Sequence, residues 1–579
     1  MNAAAANDVS LNPVAVTTPI IIIPVENASS DVEGSDSSSI ALPLTPMISA
    51  NVPLSPVVET ENRSSQGATK DLVQVSVVQD TKYPLLLASS RPTANHRTIP
   101  PNMSTPHGLK LAVHLITTYF GKLVSKVCEC LLCKGTLSLV QVIRYTELSK
   151  QNVTNALFLL IQHNCVQAFT IQQPGGFGEE PKMMIQYMAL HENIIHHMRF
   201  PKFLAIVSDE YGQQCMEIFE GLLQHGRLSL NKNSDRYKDK HKVDVTGGEN
   251  NNSVDNVIHE NFNKLVQARF IERCPAHEPF VPPSEEDDAP KKRTKRKQPE
   301  PEVCATNEKK EILWRVNFEE FVRRLRHKSC VSHVTTRLDS VVGIVLSAIF
   351  EATRRDETKV KMEKTVPLPL ETIYEEAMKN EEGQSLTLER VRASLVQLGC
   401  EIPTIGIDET YSIDLKKIIN QAQAQEVESI VLKKYGREAY RIFRLLSERE
   451  SLFDTDKISN TTFVEKKDAL KILFQLWKDD FLHMETIGSD VQKVDMLLWK
   501  LNKRALWEHV LDDMYHAALN LKLRLVYELE QAKDILRVHK GVTVGDEVLK
   551  RRKQVGDKWE VLESSLMIID DAIMLFNAF

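Results

Sequence analysis

The sequence predicts a mostly α-helical chain with small β wings: four tandem winged-helix modules followed by a C-terminal α-helical coiled-coil hairpin. Three observations predict it. A run of three helices and a hairpin opens the ordered region; one helix-to-strand junction occurs four times; and the last 85 or so residues carry a heptad-like apolar stripe.

At 579 residues the chain exceeds one usual domain several-fold, so several modules are expected. Residues 1–107 are rich in Ser, Pro, Thr, Ala and Asn and lack periodicity, which predicts a disordered N-terminal extension. The first sixty residues carry no Lys or Arg, unlike organelle transit peptides. Thr45-Pro46, Ser55-Pro56 and Thr105-Pro106 fit proline-directed phosphorylation, although plain low-complexity sequence is the favoured reading.

Order is expected from Leu109. Leu109, Ala112, Ile116, Phe120, Leu123, Val127 and Leu131 recur every three or four residues and predict one long helix ending at Lys134-Gly135. A short helix over Leu137 to Arg144 follows, then one capped by Ser149 with Val153, Ala156, Leu157, Leu160 and Ile161 inward. Cys165 to Gln172 and Met183 to Leu190 read as strands flanking a Pro/Gly-rich turn. That completes winged helix 1, residues 108–200.

The end of its third helix, Leu160-Ile161-Gln162-His163-Asn164-Cys165-Val166, has three later counterparts. These are Leu265 to Ile271, Leu395 to Glu401 and Leu476 to Leu482, each a helix passing directly into a strand. They define winged helix 2 at 201–316, with a charged disordered insertion at about 276–310, winged helix 3 at 317–425 and winged helix 4 at 426–493. Junction spacings of 105, 130 and 81 residues do not suit a solenoid of fixed period.

Leu511, Met514, Leu521 and Leu525, then Leu562, Leu566, Ile569 and Ile573, form the stripe of the hairpin assigned to 494–579. An apolar stripe needs cover, so these eight residues are a candidate partner-binding surface.

The 72 basic and 78 acidic residues leave a net charge of -6, so contact with nucleic acid must be local. Lys291, Lys292, Arg293, Lys295, Arg296 and Lys297 form a candidate nuclear-localisation run in the insertion. Lys466, Lys467 and Lys471 fall on the third helix of module 4, the element that enters the major groove in helix-turn-helix proteins, and are candidate DNA-phosphate contacts. Asp468 and Asp479-Asp480 argue against sequence-specific reading there.

No phosphate-binding loop, dinucleotide fingerprint, zinc-protease motif or nucleophile elbow occurs, so no catalytic, cofactor-binding or metal residues are assigned. Cys128, Cys130 and Cys133, and likewise His191, His196 and His197, are poorly spaced for a metal. Asp454 and Asp456 suit a helix start better than a nucleotidyl-transfer site. No run is long and apolar enough to cross a bilayer, and the cysteine pattern suits a reducing compartment.

Phe200-Pro201-Lys202, Leu222-Leu223 before Gly226, Arg273-Cys274-Pro275, Trp314 with Asn317 and Phe321, Arg337 with Asp339, and Gly436 followed by Arg441-Ile442-Phe443-Arg444-Leu445 occur in a distinctive order. On these residues the stretch from about 109 to 490 resembles the third-largest subunit of RNA polymerase III, built of tandem extended winged helices. The resemblance implies a non-catalytic subunit in a peripheral heterotrimer, similar to the large subunit of transcription factor IIE. It further implies contacts with transcription factor IIIB and non-specific promoter DNA, support of promoter opening for small RNAs such as 5S rRNA and tRNA, a nuclear location, no homo-oligomer and no cofactor. The alternative is a free winged-helix transcription regulator. The long N-terminal extension and the linker before Trp314 depart from the family pattern.

Overall fold

A computed structural model describes residues 105–173, 182–240, 250–275, 311–357, 361–400, 410–449, 451–489, 492–536, 546–577 and 579. It is mostly helical, with four small antiparallel sheets, in keeping with the predicted class. No described helix is long and apolar enough to cross a membrane.

The first unit comprises α1 (Pro106–Phe120), α2 (Lys122–Lys134), β1 (Leu137–Ser138), α3 (Leu139–Thr146), α4 (Lys150–Gln162), β2 (Val166–Gln173) and β3 (Lys182–Ala189). Its strands pair in the order β1-β3-β2. The single long helix expected from Leu109 is in fact two. Gly121 has φ 85° and ψ 170°, a conformation that side chains exclude, so the chain turns there although the apolar period continues across it. Ser138 closes a capping box with Gln141, and the Ser149 hydroxyl accepts the Asn152 N–H as expected.

After α5 (His191–His196) and a tight turn through Arg199, the pattern repeats as α6 (Phe200–Tyr211), α7 (Gln213–His225), β4 (Leu228–Ser229), α8 (Leu230–Lys240), α9 (Asn250–Gln267), β5 (Ile271–Arg273) and β6 (Leu313–Val316). The third unit is α10 (Phe318–Arg337), α11 (Ser340–Thr353), β7 (Leu368–Pro369), α12 (Leu370–Met378), α13 (Leu388–Gln397) and β8 (Thr410–Tyr411). The fourth is α14 (Leu415–Tyr435), α15 (Arg437–Glu448), β9 (Phe453–Asp454), α16 (Thr455–Thr462), α17 (Lys466–Lys478), β10 (His483–Ser489) and β11 (Gln492–Lys500). β4-β6-β5 and β10-β11-β9 repeat the first sheet's order, while the third unit shows two described strands, β7 and β8. Gly212 and Gly436, at φ 83° and 88°, break the helices where Gly121 does.

The four junctions share one hydrogen-bond pattern. The fifth residue, Asn164, Arg269, Gly399 or Asp480, is left-handed, with φ of 57°, 61°, 83° and 61°. Its N–H bonds the carbonyl of the second residue, and the next N–H, from Cys165, Phe270, Cys400 or Phe481, bonds the carbonyl of the first. The first and sixth side chains are buried in every case, so an apolar clasp closes each helix as its strand begins.

α18 (Lys503–Leu536) and α19 (Asp546–Asn577) run antiparallel, with Lys522 opposite Glu563 and Lys558 opposite Glu528. The expected boundary at 494 falls inside β11, which pairs with β9 through Trp499↔Phe453, so the fourth unit extends to Lys500. The first unit, the fourth and the two terminal helices share one apolar core, the second unit has its own, and the third unit's core also takes in Ile418 and Ile419 of α14 and Leu575 of α19.

Candidate nucleic-acid interface and the anchor of the last helix

α17 is amphipathic because Ala469, Leu473 and Leu476 face the core of the fourth unit. Lys467, Lys471, Phe474 and Lys478 recur at i, i+4, i+7 and i+11 on the opposite, exposed face. Phe474 packs edge-on to the buried Trp499, 5.4 Å between centroids, which fixes the stripe's centre. Of the three lysines expected to meet phosphate, Lys467 and Lys471 lie on this stripe, and Lys466 turns aside to pair with Asp456 at 2.5 Å. Asp454 caps α16, its carboxylate accepting the Lys457 N–H at 2.5 Å. Three of the stripe's four residues are lysines, which suits it to neutralising phosphates, and the exposed Gln475 beside Phe474 is the one amide on α17.

α4 occupies the matching place in the first unit but presents Gln151, Asn155 and Phe158, with no charge. Phe158, 67% exposed, corresponds to Phe474 four residues before the helix end. Phe463, Phe474 and Lys478 escaped the sequence reading; the i+7 and i+11 continuation from Lys467 was the signal for the latter two.

The eight stripe residues of the terminal helices find their cover within the chain. Met514, Leu525, Leu566 and Ile573 are buried, and Leu511, Leu521, Leu562 and Ile569 pack around them against the shared core. Met514, Leu525, Leu566 and Ile573 are core residues rather than free surface, with α1 and α14 supplying part of the cover, while Leu511, Leu521, Leu562 and Ile569 stay half-buried at the edge of that core. The basic run Lys291, Lys292, Arg293, Lys295, Arg296 and Lys297 lies outside the described residues, as do Thr45-Pro46 and Ser55-Pro56. Thr105, placed in the extension by sequence, caps α1 by accepting the Gly108 N–H.

The end of α19 is held by charge as well as packing. Arg199 Nε donates to Asp570 Oδ1 at 2.7 Å, and Lys202 Nζ reaches Asp570 Oδ2 at 2.8 Å, Asp571 at 2.7 Å and the Met567 carbonyl at 3.0 Å. Burial pushes the Asp570 carboxyl up, but Arg199 and Lys202 together outweigh it and hold it below the usual carboxylate range. The Gln423 amide on α14 donates to the Leu575 carbonyl, and Trp507 of α18 donates back to Gln423, both at 2.9 Å.

Histidines fill the seam between the first two units. His197 lies 3.8 Å from Cys165 Sγ and packs on Phe120 and Phe200, while His196 lies against Phe203 and Phe318. Burial pushes His163 down to about 3, with His197 and His225 adding to it, and His197 down to about 4; His196 is lowered by burial and Arg199. Cys128 is buried while Cys133 is exposed, so these two cysteines face different ways. Among the described residues no cluster of His, Cys, Asp or Glu could hold a metal.

The residues that carry the sequence resemblance have structural work in this frame. Lys202 grips Asp570 and Asp571, Trp314 packs edge-on to Phe262, and Asn317 donates to the carbonyl of the left-handed Arg269. Asp339 pairs with Arg390, and Ile442 and Phe443 are wholly buried.

Three family profiles match in chain order. Residues 110–170 match the helix-turn-helix domain of RNA polymerase III subunit RPC82, residues 278–429 match RNA polymerase III subunit RPC82, and residues 427–495 match the C-terminal winged-helix domain of POLR3C. Among similar proteins, DNA-directed RNA polymerase III subunit RPC3 of Danio rerio is 22% identical over 480 residues, covering 75% of this chain and 86% of that protein. The Homo sapiens protein of the same name is 21% identical over 476 residues, 74% of this chain and 85% of its own. The Dictyostelium discoideum protein is 29% identical over 183 residues, 29% and 27% of the two chains. With a helix-turn-helix match at the start of the repeated units, a winged-helix match at their end and relatives aligned across three quarters of its length, the chain belongs to the family of the third-largest subunit of RNA polymerase III.

Proposed function

We propose that this chain is a non-catalytic, specific subunit of the nuclear DNA-directed RNA polymerase III. It acts in a peripheral heterotrimer that supports promoter recruitment and DNA opening for synthesis of small RNAs such as 5S rRNA and tRNA. The observation that carries the reading is the collinearity of the three family matches with the repeated units, since a single winged helix would leave function open.

In this reading the four repeats, α1–β3, α6–β6, α10–β8 and α14–β11, are extended winged-helix modules, and α18–α19 is a coiled-coil hairpin. The hairpin's base is a keystone within the chain, which leaves its outer faces and the module surfaces for the two specific partner subunits and transcription factor IIIB. α17 meets non-specific promoter DNA through Lys467 and Lys471, with the flanking Lys478 adding charge, and the uncharged α4 face serves protein contacts. RNA synthesis belongs to other subunits, no cofactor is required, and Lys291 to Lys297 directs nuclear import. The rival reading is a free winged-helix regulator, favoured by the phosphate-suited stripe alone.

Depleting the protein from nuclear extract tests this. Synthesis of 5S rRNA and tRNA from duplex templates should fall, return when polymerase containing the chain is added, and depend less on it when the template is pre-melted. Undiminished small-RNA synthesis after depletion would overturn the reading.

A further inference from the structure

Phe463 lies between α16 and α17 in the left-handed conformation, φ 55° and ψ 39°, and is 91% exposed. The described non-glycine residues with positive φ are Glu147, Asn164, Arg269, Phe463 and Asp480, and of these Phe463 alone is apolar. A bulky side chain there is strained, and exposing a phenyl ring wins back nothing by burial.

The fold does not demand it. The matching turn of the first unit, between α3 and α4, places Glu147 in the same conformation with φ 57°, so a polar residue serves the turn equally. In the fourth unit the backbone that carries the ring is fixed. The Phe463 N–H donates to the Ser459 carbonyl, the Ser459 hydroxyl donates to the Val464 carbonyl at 2.6 Å, and Thr462 and Val464 on either side are buried. Strain of this kind persists where surrounding structure overdetermines it, and it concentrates at functional sites.

What stands around the ring selects the partner. Lys466 and Lys467 begin the next helix and Lys471 follows one turn on, against Asp456, Glu465 and Asp468. Asp456 is occupied by Lys466, while Lys467 and Lys471 stand exposed on the outward stripe. An exposed aromatic on a fixed backbone beside a row of lysines fits a polyanion that also offers flat apolar faces, which describes stacked bases between phosphates.

We infer that Phe463 is a wedge that enters a base step of duplex DNA held by the α17 lysines and partly unstacks it. This rests on the reading of α17 as a phosphate contact and adds what that contact is for. A pyrimidine–purine step, the easiest to unstack, is the preferred point of entry.

The test uses the full chain and a short duplex carrying 2-aminopurine at one pyrimidine–purine step, with fluorescence reporting unstacking and anisotropy reporting binding. Phe463→Gly suits the backbone conformation and should preserve the fold; Lys467→Ala/Lys471→Ala probes the phosphate contact separately. The inference predicts a fluorescence rise with the unsubstituted chain, its loss in Phe463→Gly with binding retained, and weakened binding in the lysine variant. An equal rise in Phe463→Gly overturns the wedge while leaving the phosphate contact standing. Binding unaffected by the lysine substitutions overturns the phosphate contact and the wedge with it. If Phe463→Gly leaves the rise intact but no longer joins the other polymerase subunits, the ring is a protein anchor and the wedge is wrong.

Discussion

Arg199 and Asp570 meet at 2.7 Å with 1% and 0% of their surfaces exposed, joining the entry to the second unit to the last helix across 371 residues of sequence. Removing one partner of such a pair leaves a buried uncompensated charge. Asp570→Ala should therefore cost about 3 to 5 kcal/mol in denaturant unfolding. Because the Asp570 carboxyl is held below its unfolded value, its contribution is present above about pH 4 and is lost as pH falls through the lower folded value.

The histidine seam gives a pH dependence at milder acidity. His163, His196 and His197 have folded values below 6.5, so between those values and 6.5 the unfolded chain binds more protons. Stability should fall from about pH 6.5 downward, by up to about 1.4 kcal/mol per pH unit for each histidine. Thermal melts at pH 7 and 5.5 should differ, and His197→Gln should reduce the difference; an unchanged slope would remove His197 from the account.

Phe463→Gly should stabilise the isolated chain by about 1 kcal/mol, because glycine adopts the left-handed conformation freely and the ring packs on almost nothing. A rise in the urea midpoint at unchanged slope checks this. Destabilisation would mean that the ring supports the fold.

Lys467→Ala and Lys471→Ala should each weaken DNA binding about equally for unrelated sequences and lower the salt-dependence slope by about 0.9. Fluorescence anisotropy over a salt series reads both. Strong preference for one sequence would contradict a contact made through charge.

The repeats were legible because their stop signal is local: an apolar residue, four positions, then a second apolar residue, with Asn164, Gly399 or Asp480 tolerant of the left-handed turn. Arg269 fills the same position without that tolerance, and there the flanking Leu265 and Phe270 carried the signal. The break at Gly121 was hidden because apolar periodicity runs on through it. On the candidate face, Lys466, Lys467 and Lys471 could be picked out by charge, but which of them faces outward depended on Asp456. Asp570 could not be matched to Arg199, since nothing local in an amphipathic stripe tells a buried carboxylate where its cation lies.

The keystone role of α19 also changes how attachment must be tested. Deleting Asp495 to Phe579 would strip core from the first and fourth units, so loss of assembly would follow from unfolding alone. The direct measurement keeps the chain whole: affinity purification of the tagged protein from nuclear extract, with mass spectrometry of what co-elutes. Stoichiometric recovery of the two largest RNA polymerase III subunits is the predicted result; recovery of the chain alone, or with unrelated regulators, would contradict the assignment as a polymerase subunit.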